Sequence, residues 1–329
     1  MPAALVVAVV GPTAAGKSDL AVALSQRLGG EVVNADAMQV YRGMDIGTAK
    51  VSTTERAGVP HHLLDILDVT ETATVAEFQE LARQAIDDCI VRSKVPVLAG
   101  GSALYVRAIL DDFVFPGTDP AVRARLEAEL EAKGSGALHQ ELAALDPKAA
   151  EQILPSNGRR IVRALEVIEI TGGPYVATLP EHRYVYPGAI QLGLDVPRPV
   201  LDERIDRRVD RMFDAGFVAE VRGLLNKGLI EGRTANRALG YSQVIALLNG
   251  EIDEQQARER TAQATRRFAR RQDSWFRKDQ RITWLPYDAP DLVEKALQVI
   301  AQGNREGASG VVEVNKGPDQ NSGAVDARG

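Results

Sequence analysis

The chain of 329 residues has one cysteine, no long apolar run and no surplus of basic side chains. The lone cysteine, Cys89, can form neither a disulfide nor a zinc site of several cysteines, so packing is its expected role. The apolar run Leu5 to Val10 is far too short to cross a bilayer, and no charged leader with a cleavage site precedes it. These absences predict a cytoplasmic protein with no membrane partner.

The chain as a whole is not basic either, because its formal net charge is −6 at pH 7. Nucleic-acid binding therefore requires the basic residues to be clustered. Two clusters occur, one from Asn157 to Arg163 and the other from Arg258 to Arg281. Each could bind a polyanion or simply be a solvated helix face, and composition does not decide between the two.

Short apolar runs alternate with helical stretches along much of the chain. The continuous run Leu5 to Val10 is typical of a central strand that is covered on both faces. Further strands are predicted at 31–34, 95–99, 190–194 and 282–285, and helices at 17–28 and 75–92. This alternation predicts an α/β fold with a parallel sheet flanked by helices.

A helical, highly charged segment interrupts this pattern at 115–184. It opens with the helix-start signal Asp119-Pro120 and closes at the stop signal Gly172-Gly173-Pro174. We expect an all-helical insertion domain there, placed between two parts of one core. The expected core segments are 1–114 and 185–302, and the apolar-poor segment 303–329 is expected to be a disordered tail.

A phosphate-binding loop follows the first predicted strand and opens a helix. It fits G-x-x-x-x-G-K-[ST] with Gly11, Pro12, Thr13, Ala14, Ala15, Gly16, Lys17 and Ser18. Inward-pointing amides, the helix N-terminus and Lys17 would hold phosphate, and Ser18 can hold Mg²⁺. The loop predicts a P-loop NTPase-like fold and a diphosphate-like ligand, which a nucleotide kinase would satisfy equally well.

Asp36 follows the second predicted strand. At the carboxyl end of a neighbouring parallel strand it would face the same crevice as the phosphate loop. A carboxylate there could bind metal or accept a proton, whereas in isolation such a residue is more often a cap or a turn residue. The adjacent His61 and His62 more often support a loop than hold a metal.

Several segments beyond the phosphate loop resemble the tRNA dimethylallyltransferases. They are 36–50, 60–65, 100–105, 160–167, 237–241, 266–275 and 284–285, within a resemblance that spans residues 5–300. Ser242 departs from the pattern, because members of the family often have Arg or Lys there. The resemblance therefore does not depend on the phosphate loop alone.

The resemblance implies transfer of the dimethylallyl group of dimethylallyl diphosphate to the exocyclic N6 amine of the adenosine 3′-adjacent to the anticodon, with release of diphosphate. The loop, although of the ATP-binding type, would then hold the diphosphate of the prenyl donor. Asp36 would be the general base, and Arg237 and Lys17 would lie at the catalytic centre. The residues that it implies for tRNA contact are Asp36, Ala37, Met38, Gln39, Ser102, Arg123, Arg159, Arg160, Ile161, Val162 and Arg163.

The chemistry fits these residue types. The adenine amine is a poor nucleophile, so a carboxylate that accepts its proton would contribute about 10²–10⁴-fold. Lys17, Arg237, the loop amides and Mg²⁺ on Ser18 would stabilise the departing diphosphate. The adenine must also leave its stack, at a cost of a few kcal/mol that phosphate contacts could offset. We expect a monomer that binds the anticodon stem-loop.

Three other functions are compatible with parts of the sequence. A small-molecule kinase would use the insertion as a lid and turn over ATP, but it would leave the motifs at Asp36 and Arg237 unexplained. An RNA-binding module would use the loop as an anion clamp and would have no need for Asp36. A prenyltransferase for free adenine nucleotides would not need the basic cluster of the insertion.

Overall fold

The computed structural model describes residues 4–175 and 182–310. The chain divides into two compact units, one of Met1–Leu110 with Tyr184–Gly329 and the other of Asp111–Arg183. The first is the core unit and the second the helical unit. The limits of the helical unit lie within a few residues of the expected insertion at 115–184.

A six-stranded, wholly parallel sheet forms the centre of the core unit. Its strands are β1 Leu5–Val10, β2 Glu31–Asn34, β3 His61–His62, β4 Pro96–Gly100, β5 Gly188–Asp195 and β6 Ile282–Pro286. They are ordered β3-β2-β4-β1-β5-β6, so the first strand lies between β4 and β5. The α/β class with a parallel sheet is confirmed.

The uninterrupted apolar sequence of β1 has a direct structural cause. Val6, Ala8 and Val10 point into the apolar cluster on one face of the sheet. Val7 and Val9 point into the separate cluster on the other face. Because helices cover both faces, the strand has no polar face and shows no alternation in its sequence.

Helices of the core unit precede and follow the helical unit in sequence. They are α1 Lys17–Leu28, α2 Val75–Val91, α3 Ala103–Leu110, α7 Arg198–Asp214, α8 Phe217–Leu225, α9 Tyr241–Leu248, α10 Glu254–Phe276 and α11 Leu292–Gly310, with a 3₁₀ turn at Ala235–Arg237. The helical unit contains α4 Pro120–Leu145, α5 Pro147–Gln152 and α6 Gly158–Thr171. None of the helices in the described segments is long and apolar enough to span a membrane.

The boundary of the expected tail is wrong at its beginning. Helix α11 continues through Gly303 to Gly310. Gly303 does not end the helix, and it lies close to β5: a Cβ at this position would be 2.9 Å from Ile190 Cδ1. The remainder of the expected tail, 311–329, lies outside the described residues.

Both signals at the ends of the helical unit act as predicted. Asp119 caps α4, because its Oδ1 accepts hydrogen bonds from the amides of Ala121 and Val122. Gly172 ends α6 in the left-handed conformation, with a φ of 64°. Between them α4 and α6 enclose an apolar core that includes Leu138 and Ile161.

Candidate active site

The phosphate-binding loop lies between the carboxyl end of β1 and the start of α1. Its backbone turns through positive φ at Gly11 (134°) and Gly16 (103°), which glycine tolerates without steric strain. Gly16 is the N-cap of α1, and no side chain caps that helix. The first amides of α1 are therefore left to a ligand, and the positive end of the helix dipole favours an anion.

An open cavity of about 120 Å³ adjoins the loop. It brings together seven residues that the sequence placed in the site: Thr13, Ala14, Gly16, Lys17, Ser18, Asp36 and Gln39. The other residues that line it are Asp19, Val32, Asn34, Thr48, Ala49, Val51, His61, Leu64, Ala99, Gly100, Arg208, Phe268 and Gln272. The expected crevice at the carboxyl edge of the sheet is present.

Lys17 extends along the loop rather than into solvent. Its Nζ donates a hydrogen bond to Pro12 O at 2.8 Å. Burial lowers the pKa of Lys17 to about 8, Asp36 raises it in part and Arg208 lowers it further. An incoming anion would favour the charged ammonium, so ligand binding and protonation of Lys17 are coupled.

Asp36 is held by a tight local turn. Its backbone amide donates to Asn34 Oδ1 at 2.9 Å, and Asn34 Nδ2 donates to Asp36 O at 3.0 Å. The carboxylate accepts through Oδ1 from the amide of Met38 at 2.9 Å. Among the described residues, Asp36 Oδ2 has no hydrogen-bond partner, so one carboxylate oxygen is oriented and the other is available to a substrate.

Gln272 is a site residue that sequence reasoning missed. From α10 its Oε1 accepts from the amide of Thr13 at 2.9 Å, and its Nε2 donates to Gly101 O at 2.7 Å. The side chain is 7% exposed, and both of its polar ends are used within the fold. It fixes the phosphate loop to the segment after β4 across 259 positions of sequence, a contact that no local pattern reveals.

Two arginines of α7 were missed for the same reason. Arg208 lines the cavity and donates to Thr13 Oγ1 at 3.4 Å. Arg204 donates to Ala15 O at 3.3 Å. Burial lowers the pKa of Arg208, with the charge of Arg211 acting in the same direction. The loop is therefore faced by a cation on α7 that an anionic ligand would stabilise.

The basic cluster on α10 contains two kinds of arginine. Arg258 and Arg266 are paired with acidic side chains, Arg258 with Glu254 and Asp214, and Arg266 with Asp206. Four others on the same helix are exposed and have no ion pair within the described part of the chain: Arg260, Arg267, Arg270 and Arg271. Arg271 lies over the ring of Phe268, which itself lines the cavity. Only the exposed, unpaired members of this cluster are therefore available to bind a polyanion.

The residues expected to contact tRNA from the helical unit have unlike environments. Arg159 and Arg160 are exposed at the start of α6. Arg123 and Arg163 instead both bind the fully buried carboxylate of Glu166. Burial opposes the ionisation of Glu166, but the hydrogen bonds from the two guanidinium groups lower its pKa overall. These two arginines stabilise the unit itself.

Ile161 and Val162, which were also expected to contact tRNA, turn their side chains away from solvent. Their side chains are 0% and 2% exposed in the core of the helical unit. Helix α6 has one face toward solvent and one face packed in the unit, and these two residues lie on the packed face. Of the run 159–163, the two leading arginines are the ones that reach solvent fully.

Ser102, Ala37, Met38 and Arg237 do not line the cavity. Ser102 is half-buried just before α3, next to the Gly101 carbonyl that Gln272 binds. Ala37 and Met38 lie in the Asp36 turn, half-buried. Arg237 ends the 3₁₀ turn with its side chain exposed. The structure thus leaves these four out of the cavity wall.

One cluster with metal-like spacing lies elsewhere in the core unit. Glu31, His62 and Cys89 approach one another, the only such group of His, Cys, Asp and Glu within the described residues. Both oxygens of Glu31 are taken by Arg92 at 2.5 and 2.7 Å, and His62 Nε2 lies 2.6 Å from Glu31 Oε2. The ion pair with Arg92 satisfies Glu31, and Cys89 is fully buried as expected.

Comparison with known proteins adds independent findings. A family model described as IPP transferase matches residues 39–279. A tRNA dimethylallyltransferase of Thermobifida fusca is 63% identical over 302 residues, covering 90% of this chain and 94% of that protein. The chain belongs to the tRNA dimethylallyltransferase family. A member from Streptomyces avermitilis is 65% identical over 293 residues, covering 89% of this chain and 94% of that protein.

Solved structures agree with membership in the tRNA dimethylallyltransferase family. The tRNA isopentenylpyrophosphate transferase of Bacillus halodurans matches with a TM-score of 0.71 and 38% identity, covering 94% of this chain and 99% of that one. A eukaryotic dimethylallyltransferase acting on tRNA matches with a TM-score of 0.79 and 26% identity, covering 90% and 78%. Because the family model begins at residue 39, the assignment does not rest on the phosphate loop.

Proposed function

We propose that this protein transfers the dimethylallyl group from dimethylallyl diphosphate to N6 of the adenosine 3′-adjacent to the anticodon in tRNA and releases diphosphate. The observation that carries the proposal is the meeting of Asp36 with Lys17 and Ser18 in one cavity of a tRNA dimethylallyltransferase fold. A proton acceptor thereby lies beside an anion site, which is the pair that this reaction needs.

Asp36 accepts the proton of the adenine amine as the new C–N bond forms. Its Oδ1 is fixed by the amide of Met38, while Oδ2 is available for the amine. An oriented acceptor raises the nucleophilicity of an amine whose lone pair is delocalised into the ring. This step contributes about 10²–10⁴-fold, and positioning supplies most of the rest.

The prenyl donor binds through its diphosphate. The open amides at the start of α1, Lys17 and Arg208 surround the place where negative charge grows as the C–O bond breaks. Preorganised donors of this kind act most strongly at the transition state. The apolar side chains of Leu64 and Phe268 line the same cavity and offer a wall for the prenyl group.

We propose Mg²⁺ as the accompanying ion. The hydroxyl of Ser18 lines the cavity, and no group of His, Cys, Asp and Glu with metal-binding spacing adjoins it in the described segments. A single protein oxygen suits an ion that completes its shell with phosphate oxygens and water. When bound, the ion would neutralise charge on the diphosphate.

The tRNA would be held through its backbone by exposed arginines. Arg159 and Arg160 supply such groups in the helical unit, and the unpaired arginines of α10 supply them in the core unit. Phosphate contacts of this kind position the anticodon stem-loop and offset the cost of unstacking the target adenine. We expect one protein chain to act on one tRNA as a monomer.

The proposal is tested by incubating the protein with unmodified tRNA, dimethylallyl diphosphate and Mg²⁺, and by analysing the nucleosides with mass spectrometry. We expect N6-dimethylallyladenosine at one position, lost when EDTA replaces Mg²⁺. Parallel reactions with free AMP and with ATP plus AMP separate the alternatives. Prenylated AMP without prenylated tRNA, or phosphate transfer from ATP, would overturn the proposal. Light scattering of the protein reports its oligomeric state.

A further inference from the structure

Glu220 on α8 is the acceptor of four hydrogen bonds. Its Oε2 accepts from the amides of Asp45 at 3.0 Å and Ile46 at 2.6 Å. Its Oε1 accepts from the amide of Gly47 at 3.1 Å and from the hydroxyl of Tyr241 at 2.7 Å. The carboxylate therefore ties three consecutive amides of one loop to the first residue of α9.

The loop that Glu220 holds rests directly on aromatic rings. A Cβ on Gly47 would lie 2.2 Å from the ring of Phe217 and 2.6 Å from that of Tyr241. The two rings are edge to face with centroids 5.1 Å apart. Glycine at position 47 and the carboxylate together fix how closely the backbone approaches α8 and α9.

On its other side the same loop forms part of the cavity wall. Thr48 and Ala49 line the cavity directly after the clamped amides. Their carbonyls accept hydrogen bonds from Gln39 Nε2 at 3.2 and 3.4 Å. Gln39 also lines the cavity and follows the Asp36 turn. A displacement of residues 45–47 would therefore shift Thr48 and Ala49, and through their hydrogen bonds it would also shift Gln39 in the cavity wall.

Tyr241, the hydroxyl partner of Glu220, is near Arg237 in sequence. Tyr241 opens α9, four residues after Arg237 and its 3₁₀ turn. Burial raises the pKa of Tyr241, with the charge of Glu220 acting in the same direction, so the phenol stays a donor. One carboxylate thus joins the segment that carries Arg237 to the loop that shapes the cavity.

We propose that Glu220 is a positioning residue for prenyl transfer, which sets the loop 45–49 and, through Gln39, the wall of the cavity beside Asp36. This role rests on the proposed function. A carboxylate is suited to it because it accepts four hydrogen bonds and donates none. An amide of the same shape keeps one acceptor oxygen and turns an NH₂ group toward backbone N–H donors.

The test compares Glu220→Gln and Tyr241→Phe with Glu294→Gln, which removes an exposed carboxylate from an ion pair with Arg27. In Glu220→Gln we expect kcat for tRNA to fall about 10–100-fold while KM for dimethylallyl diphosphate changes less than about threefold, because misplacement costs transition-state geometry. Tyr241→Phe removes one hydrogen bond of the four, so a smaller loss of kcat is expected. Glu294→Gln should behave as the wild type.

Hydrogen exchange gives a second readout that does not depend on activity. The amides of residues 45–47 should exchange at least about tenfold faster in Glu220→Gln, while those of β1 stay as in the wild type. Unchanged exchange at 45–47, or unchanged kcat with faster exchange, would overturn the positioning role. Should Glu220→Gln fail to fold, Tyr241→Phe decides by the same two readouts. A wild type that exchanges as expected but forms no prenylated adenosine would instead sink the proposed function, and with it this role.

Discussion

Gln272 connects Thr13 in the phosphate loop to Gly101 after β4, accepting from the amide of Thr13 and donating to the carbonyl of Gly101. The side chain is buried, and both of its hydrogen bonds are made within the fold. Gly101 is matched to this contact, because a Cβ there would lie 2.4 Å from Gln272 Nε2. The phosphate loop therefore has its shape fixed from outside as well as by its own sequence.

Replacing Gln272 should loosen the loop and destabilise the core unit. Gln272→Ala leaves the buried carbonyl of Gly101 unpaired, at a cost of about 1–3 kcal/mol, and removes the partner of the half-buried amide of Thr13 as well. We expect a lower midpoint of thermal unfolding and a higher KM for dimethylallyl diphosphate. The control is Gln255→Ala on the same helix, where an exposed glutamine binds only Glu259. Equal effects of the two substitutions would contradict the assignment.

Arg208 and Arg207 are neighbours on α7 that should behave differently. Arg208 lines the cavity beside Thr13, whereas Arg207 is exposed and pairs with Glu203. Arg208→Ala should weaken binding of inorganic diphosphate about 10–100-fold, since it removes a charge-assisted contact worth about 1.5–3 kcal/mol. Arg207→Ala should leave it unchanged. Isothermal calorimetry measures both, and similar losses in the two variants would count against a diphosphate site at Arg208.

The lowered pKa of Lys17 predicts a pH dependence of ligand binding. With a pKa of about 8 in the free protein, the charged fraction of Lys17 falls from roughly nine-tenths at pH 7 to roughly one-tenth at pH 9. Because the ammonium form binds the anion, diphosphate affinity should be retained below pH 8 and fall as the pH rises above it. Lys17→Arg, which stays charged, should lose this dependence. A flat profile in the wild type would contradict the role of Lys17.

Substitutions at the start of α6 should affect either tRNA binding or stability, depending on whether the side chain is exposed or buried. The double substitution Arg159→Ala with Arg160→Ala should weaken tRNA binding and lower its salt dependence, because two phosphate contacts are removed. Diphosphate binding and the unfolding midpoint should hardly change. Ile161→Ala should instead destabilise the helical unit by about 2–5 kcal/mol, because it empties a fully buried position. Filter binding at several salt concentrations and thermal unfolding distinguish the two effects.

The sequence predicted those features that depend on neighbouring residues. Strand β1, the phosphate loop and the Asp36 turn each depend on a short contiguous stretch of sequence. Each lies where that stretch predicts it. Strand β3 was missed because it consists of two residues, His61 and His62, which are too few to show the alternation of a strand. They form a strand only by pairing with β2. His61 enters the cavity wall by that pairing.

Features that depend on distant residues were not visible in the sequence. Gln272 and Arg208 reach Thr13 in the loop from positions that are 259 and 195 residues away in sequence. A motif also does not tell which of its members faces solvent, as Ile161 and Val162 illustrate. Gly303 shows the converse, because composition indicated a break where helix α11 continues and packs closely on Ile190.

The most direct test of the account is the kinetics of Asp36→Asn in the prenylation of tRNA. The amide keeps the shape of the side chain and can still accept from the amide of Met38, but it cannot take a proton. We expect kcat to fall about 10²–10⁴-fold, with the affinities for dimethylallyl diphosphate and for tRNA within about threefold of the wild type. A variant that retains its kcat would show that Asp36 is not the base, and one that loses chiefly diphosphate affinity would place Asp36 in the anion site instead.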